Sequence, residues 1–236
     1  MHACRSVRAL VALLLCVCAS VASARSDEVE EVVIDIPYTV IPSEGLDLDV
    51  NVPQFDTQGG TRWLLGVDFD LSIDFSGTMG IENLDPERST TFELALLWAL
   101  ELWDPDPDEP DLLIDLEAQR VIRGLLDPFD GEIDFGGFSG ATFDVAVNDV
   151  AGAGTVTDPE DFSLYEGTGT VALPLAASYL GTAEAGNTDE FVAEFWDVAF
   201  EGTLTVRYTF PEPTLAGWVL LAAVVLRERS TRRAVG

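Results

Sequence analysis

The sequence contains no lysine, and its three cysteines and single histidine all lie within the first 18 residues. Beyond that point the chain offers no imidazole base, no thiol nucleophile and no amine for a Schiff base. It also lacks the nitrogen and sulfur ligands that zinc and copper prefer. These absences exclude serine triads and zinc hydrolysis. Only chemistry that uses oxygen atoms as ligands, acids or bases remains.

Residues 1–24 have the pattern of a secretory signal peptide. Arg5 and Arg8 form a basic region, an apolar run follows from Ala9 to Ser20, and Ala22-Ser23-Ala24 supplies the small residues of a cleavage site. A transmembrane helix is the weaker interpretation, because the apolar run falls short of ~20 residues. We therefore predict export and cleavage by signal peptidase before Arg25. An exported body that keeps no cysteine cannot form disulfides and must fold on its core alone.

The predicted body has very little positive charge. Between Arg25 and Pro213 there are 41 Asp and Glu against six Arg, which gives a formal charge of −35. Such a surface repels nucleic acid and anionic lipid, attracts divalent cations and keeps copies of the chain apart. Its self-repulsion destabilises the compact state unless salt screens it.

Alternating apolar and polar residues predict β-strands along the body. VDFDLSIDFS (67–76) has period two over ten residues, which is typical of a strand with one buried face. TTFELALLWALELW (90–103) alternates over six apolar positions, so we predict a strand, although its Ala, Leu and Glu also favour helix. LLIDLEAQRVIRGLL (112–126) keeps no clean period and is ambiguous, with a short helix as one interpretation. Further predicted strands are 32–36, 46–52, 142–147, 170–175, 191–200 and 203–210.

Asp-Pro pairs separate these segments. Proline presets φ for a turn, and an aspartate before it can accept hydrogen bonds from the backbone ahead. Short strands between turn signals, with little helix, predict an all-β fold, an antiparallel β-sandwich or jelly-roll-like domain. No linker divides residues 25–210, so we predict one domain. The five pairs begin at Asp85, Asp104, Asp106, Asp127 and Asp158.

The chain ends in an apolar segment and a basic cluster. As a helix, residues 214–226 would span about 20 Å, against ~30 Å for the hydrocarbon core, which predicts a marginal transmembrane helix. Arginines beside such a helix stay in the cytoplasm, so the body would lie outside. An ordinary stop-transfer anchor has the same hydropathy. The cluster consists of Arg227, Arg229, Arg232 and Arg233.

The C-terminal segment 211–236 resembles a PEP-CTERM sorting signal. The resemblance rests on Pro211-Glu212-Pro213, the apolar helix and the terminal arginines, in that order. It implies an exosortase as processing partner, a membrane protease that cuts near the triplet. The body would first be tethered by the helix and would then pass to the cell surface or the exopolysaccharide matrix.

The body resembles the choice-of-anchor E domain. The resemblance covers most of residues 46–210 and rests on VPQFDTQGGTRWLLGVDFDLSIDFSG (52–77), DFSLYEGTGTVALPL (161–175) and a last strand just before the triplet. It implies a β-rich exported domain joined to one of several C-terminal anchors. It implies no reaction and no catalytic residues.

One acidic segment resembles a calcium loop in its spacing. In WDPDPDEPD (103–111), Asp104, Asp106 and Asp108 alternate and Asp111 follows, and oxygen ligands of this kind suit calcium. A solvated acidic turn is the alternative. LDPFDGEIDFGG (126–137) clusters acids in a similar way.

Two further functions are compatible with the sequence, namely glycoside cleavage by carboxylates and sugar binding by aromatic side chains. Paired carboxylates could cleave a glycoside, although among 41 acids some pair will meet the required spacing by chance. Tryptophans and tyrosines could stack on sugars, but most occupy apolar positions of strand patterns and are expected in the core. The four tryptophans concerned are Trp63, Trp98, Trp103 and Trp196.

The sequence therefore predicts a non-enzymatic exported protein, sorted to the cell surface or extracellular matrix, with a structural or adhesive sandwich. The first alternative is a carbohydrate- or calcium-binding module of that matrix. The second is a carboxylate-dependent glycosidase. Signal peptidase, an exosortase, the membrane and exopolysaccharide are the predicted partners, and nucleic acid is excluded by charge.

Overall fold

The computed structural model describes residues 27–211. The predicted signal peptide and the predicted tail beyond Pro211 lie outside the described residues. The described chain forms eight strands and one helical turn. These are β1 (Asp27–Val40), β2 (Leu46–Pro53), β3 (Gly66–Asn83), β4 (Thr90–Trp103), β5 (Leu112–Leu126), β6 (Gly140–Val156), α1 (Phe162–Tyr165), β7 (Thr170–Ala185) and β8 (Phe191–Pro211).

The strands form two four-stranded sheets with the orders β1-β8-β3-β6 and β2-β7-β4-β5. Every pair of neighbouring strands is antiparallel. This confirms the predicted all-β antiparallel sandwich. Within residues 27–211, no helix is both long enough and apolar enough to cross a membrane.

The alternation of apolar residues places the core between the sheets. β3 and β4 are interior strands of their sheets, so one face of each packs on the opposite sheet while the other faces outward. The predicted alternation is confirmed at both, because the alternate apolar residues from Val67 to Phe75 and from Phe92 to Leu102 are buried. Phe75 of β3 stacks on Trp98 of β4, with ring centroids 5.8 Å apart, and so joins the two sheets.

The prediction of a short helix at 112–126 is wrong, because this segment is strand β5. Its pairing with β4 runs from Leu126, opposite Thr90, to Leu112, opposite Trp103. Only its first half alternates, with Ile114, Leu116 and Ala118 buried. β5 lies at a sheet edge, where its second half is less covered, and pairing with β4 outweighs its local helix preference. The two strands predicted at 191–200 and 203–210 are one strand, β8.

Two glycines close one side of the sandwich. A Cβ atom at Gly154 of β6 would collide with the carbonyl oxygen of Leu113 in β5. A Cβ at Gly152 would lie 2.7 Å from Cδ2 of Leu116. β6 belongs to one sheet and β5 to the other, so the missing side chains let the two edges approach each other closely.

The sandwich has two ends with different connections. The hairpin end carries the β4–β5 turn (104–111) and the β6–α1 connection (157–161). The loop end carries the β3–β4 turn (84–89) and the β5–β6 connection (127–139). β8 finishes at the hairpin end, where Pro211 pairs with Asp27 of β1. The first and last described residues therefore lie side by side, at the end opposite the loop end.

Candidate functional site

Asp104 organises the β4–β5 turn. Its backbone N–H donates to the carbonyl oxygen of Asp111 at 2.9 Å. Its Oδ1 accepts hydrogen bonds from the backbone N–H groups of Asp106 at 3.2 Å and Asp111 at 3.0 Å. Oδ1 of Asp106 in turn accepts from the N–H of Asp108 at 2.8 Å. Asp104 and Asp106, which both precede a proline, thus close local turns. This is the acidic turn expected from the sequence as the alternative to a calcium loop.

The same device recurs at other Asp-Pro pairs. Oδ1 of Asp85 accepts from the N–H groups of Glu87 and Arg88, and Oδ1 of Asp158 accepts from the N–H of Glu160. The two backbone hydrogen bonds and the guanidinium of Arg88 together lower the pKa of Asp85, despite its burial. The predicted turns at these positions are confirmed.

A cavity of about 320 Å³ lies between the β4–β5 turn and the β6–α1 connection. Asp104 and Asp111 line it from one side, and Asp158 and Asp161 from the other, with no basic side chain in its wall. The structure therefore brings together two of the four predicted calcium residues. Asp106 and Asp108 do not line this cavity. Asp158 and Asp161 were not predicted from the sequence, because nothing in their spacing links them to residue 104.

The carboxylates of this cavity repel one another. Burial raises the pKa of Asp161, and the charges of Asp158, Asp104 and Asp111 raise it further. The hydroxyl of Tyr165 is buried nearby and has no hydrogen-bond partner among residues 27–211. Burial, and secondarily the charge of Asp104, raises the pKa of this hydroxyl as well. The hairpin end thus concentrates negative charge that nothing in the described chain neutralises.

The raised pKa of Asp161, caused first by burial and then by its acidic neighbours, predicts how stability at the hairpin end depends on pH. A raised pKa means that the folded state holds the Asp161 proton more tightly than the unfolded state does. The resulting stabilisation is fully present below the unfolded value of 3.8 and is lost as the pH rises through the folded pKa. We expect Asp161→Asn to raise the melting temperature by about 1–2 °C at pH 7 in low salt, and to leave it unchanged at pH 3.

The matched control is Asp115→Asn, which removes an exposed carboxylate of β5 that does not line the cavity. Any charge removed from so acidic a chain relieves some repulsion, so the control defines the non-specific part of the effect. Thermal unfolding of both variants by circular dichroism makes the comparison. Equal shifts of the melting temperature in the two variants would show that the cavity does not destabilise the Asp161 carboxylate more than an exposed one.

Calcium binding at Asp104, Asp106, Asp108 and Asp111 stays a prediction. Among residues 27–211, no three His, Cys, Asp or Glu side chains stand close enough together to hold a metal ion as they are. A cation in the cavity would have to draw its aspartates inward or use backbone oxygens as well. Neither catalysis nor its absence follows from this arrangement, and the glycosidase alternative stays a prediction too.

The tryptophans divide between core and surface. Trp98 is 0% exposed and belongs to the core, as expected. Trp103 and Trp196 are partly buried, and Trp196 packs on Phe135 with ring centroids 5.8 Å apart. Trp63 is 51% exposed and is the one exposed tryptophan within residues 27–211. A sugar platform built from several tryptophans therefore has little support in the described chain.

The predicted sorting triplet begins inside the sheet. Pro211 is buried and is the last residue of β8, and the guanidinium of Arg62 lies 3.8 Å from the ring centroid of the preceding Phe210. Glu212, Pro213 and the four terminal arginines lie outside the described residues. The strand is thus held in place up to the first residue of the triplet.

Comparison with known proteins identifies no relative. No family model and no curated protein matches the chain. Among solved structures, one of Desmodium yellow mottle tymovirus aligns over 79% of this chain and 84% of its own, at 10% identity and a TM-score of 0.19. One of infectious bursal disease virus, Gx strain, aligns over 87% of this chain and 48% of its own, at 10% identity and a TM-score of 0.15. Alignments at these TM-scores carry no argument about fold or function.

Proposed function

We propose that the protein is an exported structural or adhesive component of the cell surface or exopolysaccharide matrix, sorted by its C-terminal segment and without catalytic activity. The observation that carries this proposal is the junction at Pro211. All eight described strands lie at or before Pro211, and the remaining residues of the PEP-like triplet follow it in the sequence. A protease that cut after the triplet would release the sandwich without removing any of its strands.

The charge of the body supports a role in a hydrated matrix. Residues 27–211 contain forty Asp and Glu against five Arg. Four of these arginines already form ion pairs, namely Arg62 with Glu30, Arg88 with Asp85, Arg123 with Glu93, and Arg207 with Glu31 and Asp70. The remaining carboxylates keep copies apart in low salt and allow divalent cations to draw them together. Such a module responds to the ionic conditions outside the cell.

The position of the first and last described residues supports display from a tether. Asp27 and Pro211 are paired neighbours at the hairpin end, so a membrane helix after Pro211 would hold the sandwich by that end. The loop end would then face away from the membrane. It carries the most exposed large apolar side chain of the described residues, Phe138, at 81%. Exposed aromatic rings are suited to contacts with other matrix components.

The test is the mass of the mature C-terminus in the native cell. We expect the released protein to end near Pro213 and to lack the apolar segment. The double variant Glu212→Ala with Pro213→Ala leaves Pro211 in its strand, so its sandwich stays intact. We expect it to keep Leu226 and to remain almost wholly in the membrane fraction.

Thr214→Ala is the control, because it changes the tail immediately after the triplet and should be processed normally. A wild-type protein that keeps Leu226 would show an ordinary anchor and would overturn the sorting step. A product found in the cytosol would overturn the proposal as a whole.

Calcium binding at the hairpin end is a second candidate function. The observation that favours it is the cavity in which Asp104, Asp111, Asp158 and Asp161 meet without a basic neighbour. Calorimetry of the full-length chain in mild detergent, stripped of metal, would measure it. We expect heat of binding at millimolar calcium that Asp104→Asn lowers, and an Asp104→Asn variant that keeps the full heat of the wild type would dismiss this candidate.

A further inference from the structure

Glu82 is a buried carboxylate without a partner. It is the penultimate residue of β3 and is 0% exposed. Neither of its carboxylate oxygens has a hydrogen-bond partner among residues 27–211, and it forms no ion pair there. A buried ionised group is strongly destabilising unless a counter-charge and hydrogen bonds compensate for the lost water. Something must therefore satisfy both oxygens.

The carboxylate of Glu82 points under the β5–β6 connection. Glu82 pairs with Gly140, where a Cβ atom would collide with Oε2 of Glu82 and lie 2.6 Å from the Gly136 nitrogen. That same nitrogen donates its hydrogen to Oδ1 of Asp134 at 2.8 Å. The carboxylates of Glu82 and Asp134 thus approach one backbone amide, and only Asp134 accepts its hydrogen.

A third carboxylate borders the same turn. A Cβ atom at Gly137 would lie 2.7 Å from Oδ2 of Asp130. The N–H of Asp130 donates to Oγ of the buried Ser139 at 3.3 Å, which fixes the residue beside the turn. Glu82, Asp130 and Asp134 therefore surround the turn from Gly136 to Gly140.

The connection that supplies Asp130 and Asp134 is fixed to the sheet. Phe135 lies over Gly80 of β3, where a Cβ atom would be 3.0 Å from its ring, and it packs on Trp196. Its carbonyl oxygen accepts a hydrogen bond from Oγ1 of Thr142 at 2.9 Å. This anchor fixes the connection at the residue next to Asp134, over the outer face of β3.

No basic side chain within residues 27–211 neutralises Glu82, because it forms no ion pair there. The arginine of the adjacent β3–β4 turn, Arg88, is already paired with Asp85 at 2.8 Å. A divalent cation that prefers oxygen ligands would satisfy both oxygens of Glu82.

We propose that Glu82, together with Asp130 and Asp134, binds a divalent cation of the calcium class beneath the β5–β6 connection. The three side chains do not stand at ligand distance as they are, so binding draws the two aspartates toward Glu82. Carbonyl oxygens of the connection complete the shell. Calcium suits such an irregular set of oxygens better than magnesium, which requires near-octahedral geometry. This site lies at the opposite end of the sandwich from Asp104.

The test measures thermal unfolding and calorimetry of the full-length, metal-free chain in mild detergent with calcium or magnesium chloride. We expect millimolar calcium to raise the melting temperature of the wild type by several degrees, and magnesium to do so less. Glu82→Gln keeps the shape of the side chain and removes its charge. We expect it to be at least as stable as wild type without metal and to bind calcium at least tenfold more weakly.

Asp115→Asn is the matched control, because it removes an exposed carboxylate of β5 that belongs to neither proposed calcium site and should leave this response unchanged. If Glu82→Gln does not fold, Asp134→Asn gives the second measurement, since its side chain is exposed. A wild type that calcium does not stabilise, or a Glu82→Gln variant that calcium stabilises as much as wild type, overturns the proposal. So does a wild type that is stabilised between pH 7 and pH 5 but not by calcium. Export is scored separately, by the mass of the C-terminus.

Discussion

Replacing Trp98 with alanine is expected to lower the free energy of unfolding by about 3–5 kcal/mol. Trp98 lies at the centre of β4, is 0% exposed and stacks on Phe75 of the opposite sheet. The truncation would remove apolar burial and leave a cavity exactly where the two sheets meet, which the surrounding strands can fill only in part. Because a domain is stable by only about 5–15 kcal/mol, the variant would be close to unfolding.

Trp63→Ala is the matched control for this experiment. It removes the same side chain from a position that is 51% exposed, so we expect a change within about 0.5 kcal/mol. Trp98→Phe should fall between the two, because it keeps an aromatic ring and removes an indole N–H that has no partner among the described residues. Urea unfolding of the three variants gives the comparison. Similar losses for Trp63→Ala and Trp98→Ala would contradict the placement of Trp98 in the core.

The strands whose alternation is regular could be predicted from the sequence, and the edge strand could not. β4 begins and ends at the predicted residues because both faces of an interior strand have constant surroundings. β5 is an edge strand whose hydrogen-bonded neighbour is β4, and the second half of its length is less covered than the first. Its residues then follow local preference, and the pattern becomes ambiguous between helix and strand.

Glu82 shows why the proposed cation site could not be predicted. Along β3 it lies on the same outward face as Asp68, Asp70 and Asp74, so the sequence places it in solvent. The β5–β6 connection folds over that face near the end of the strand and buries it. A glycine at position 80, where Phe135 lies, is the one local signal of this cover. The sequence alone does not show that Phe135 lies over this glycine, so the glycine does not reveal the cover.

The hairpin end could be predicted in part, for a similar reason. Asp104 and Asp111 lie within eight residues and belong to one turn, so their spacing alone brings them together. Asp158 and Asp161 reach the same cavity only because β6 packs against β5 across the edges of the two sheets. Contacts of that kind depend on the whole topology, and the spacing of the acidic residues does not reveal them.

Replacing Asn83 with alanine is expected to lower the free energy of unfolding by about 3 kcal/mol or more. Asn83 is 0% exposed, and its Nδ2 donates to the carbonyl oxygens of Arg88 and Asp127, both at 2.8 Å. Its Oδ1 accepts from the N–H of Asp85 at 3.1 Å. The side chain therefore joins β3 to both connections of the loop end, and alanine would leave three backbone groups there without a partner.

Asn187→Ala provides the comparison, because Asn187 donates a single hydrogen bond, to the carbonyl oxygen of Ser89 at 2.9 Å, from an exposed position. Water can replace that bond, so we expect a loss below about 1 kcal/mol. Urea unfolding measures both variants. Since Asn83 holds the connection that carries Asp130 and Asp134, its loss should also weaken any stabilisation by calcium, whereas that of Asn187 should not. Equal losses in the two variants would mean that water, and not Asn83, satisfies the backbone at the loop end.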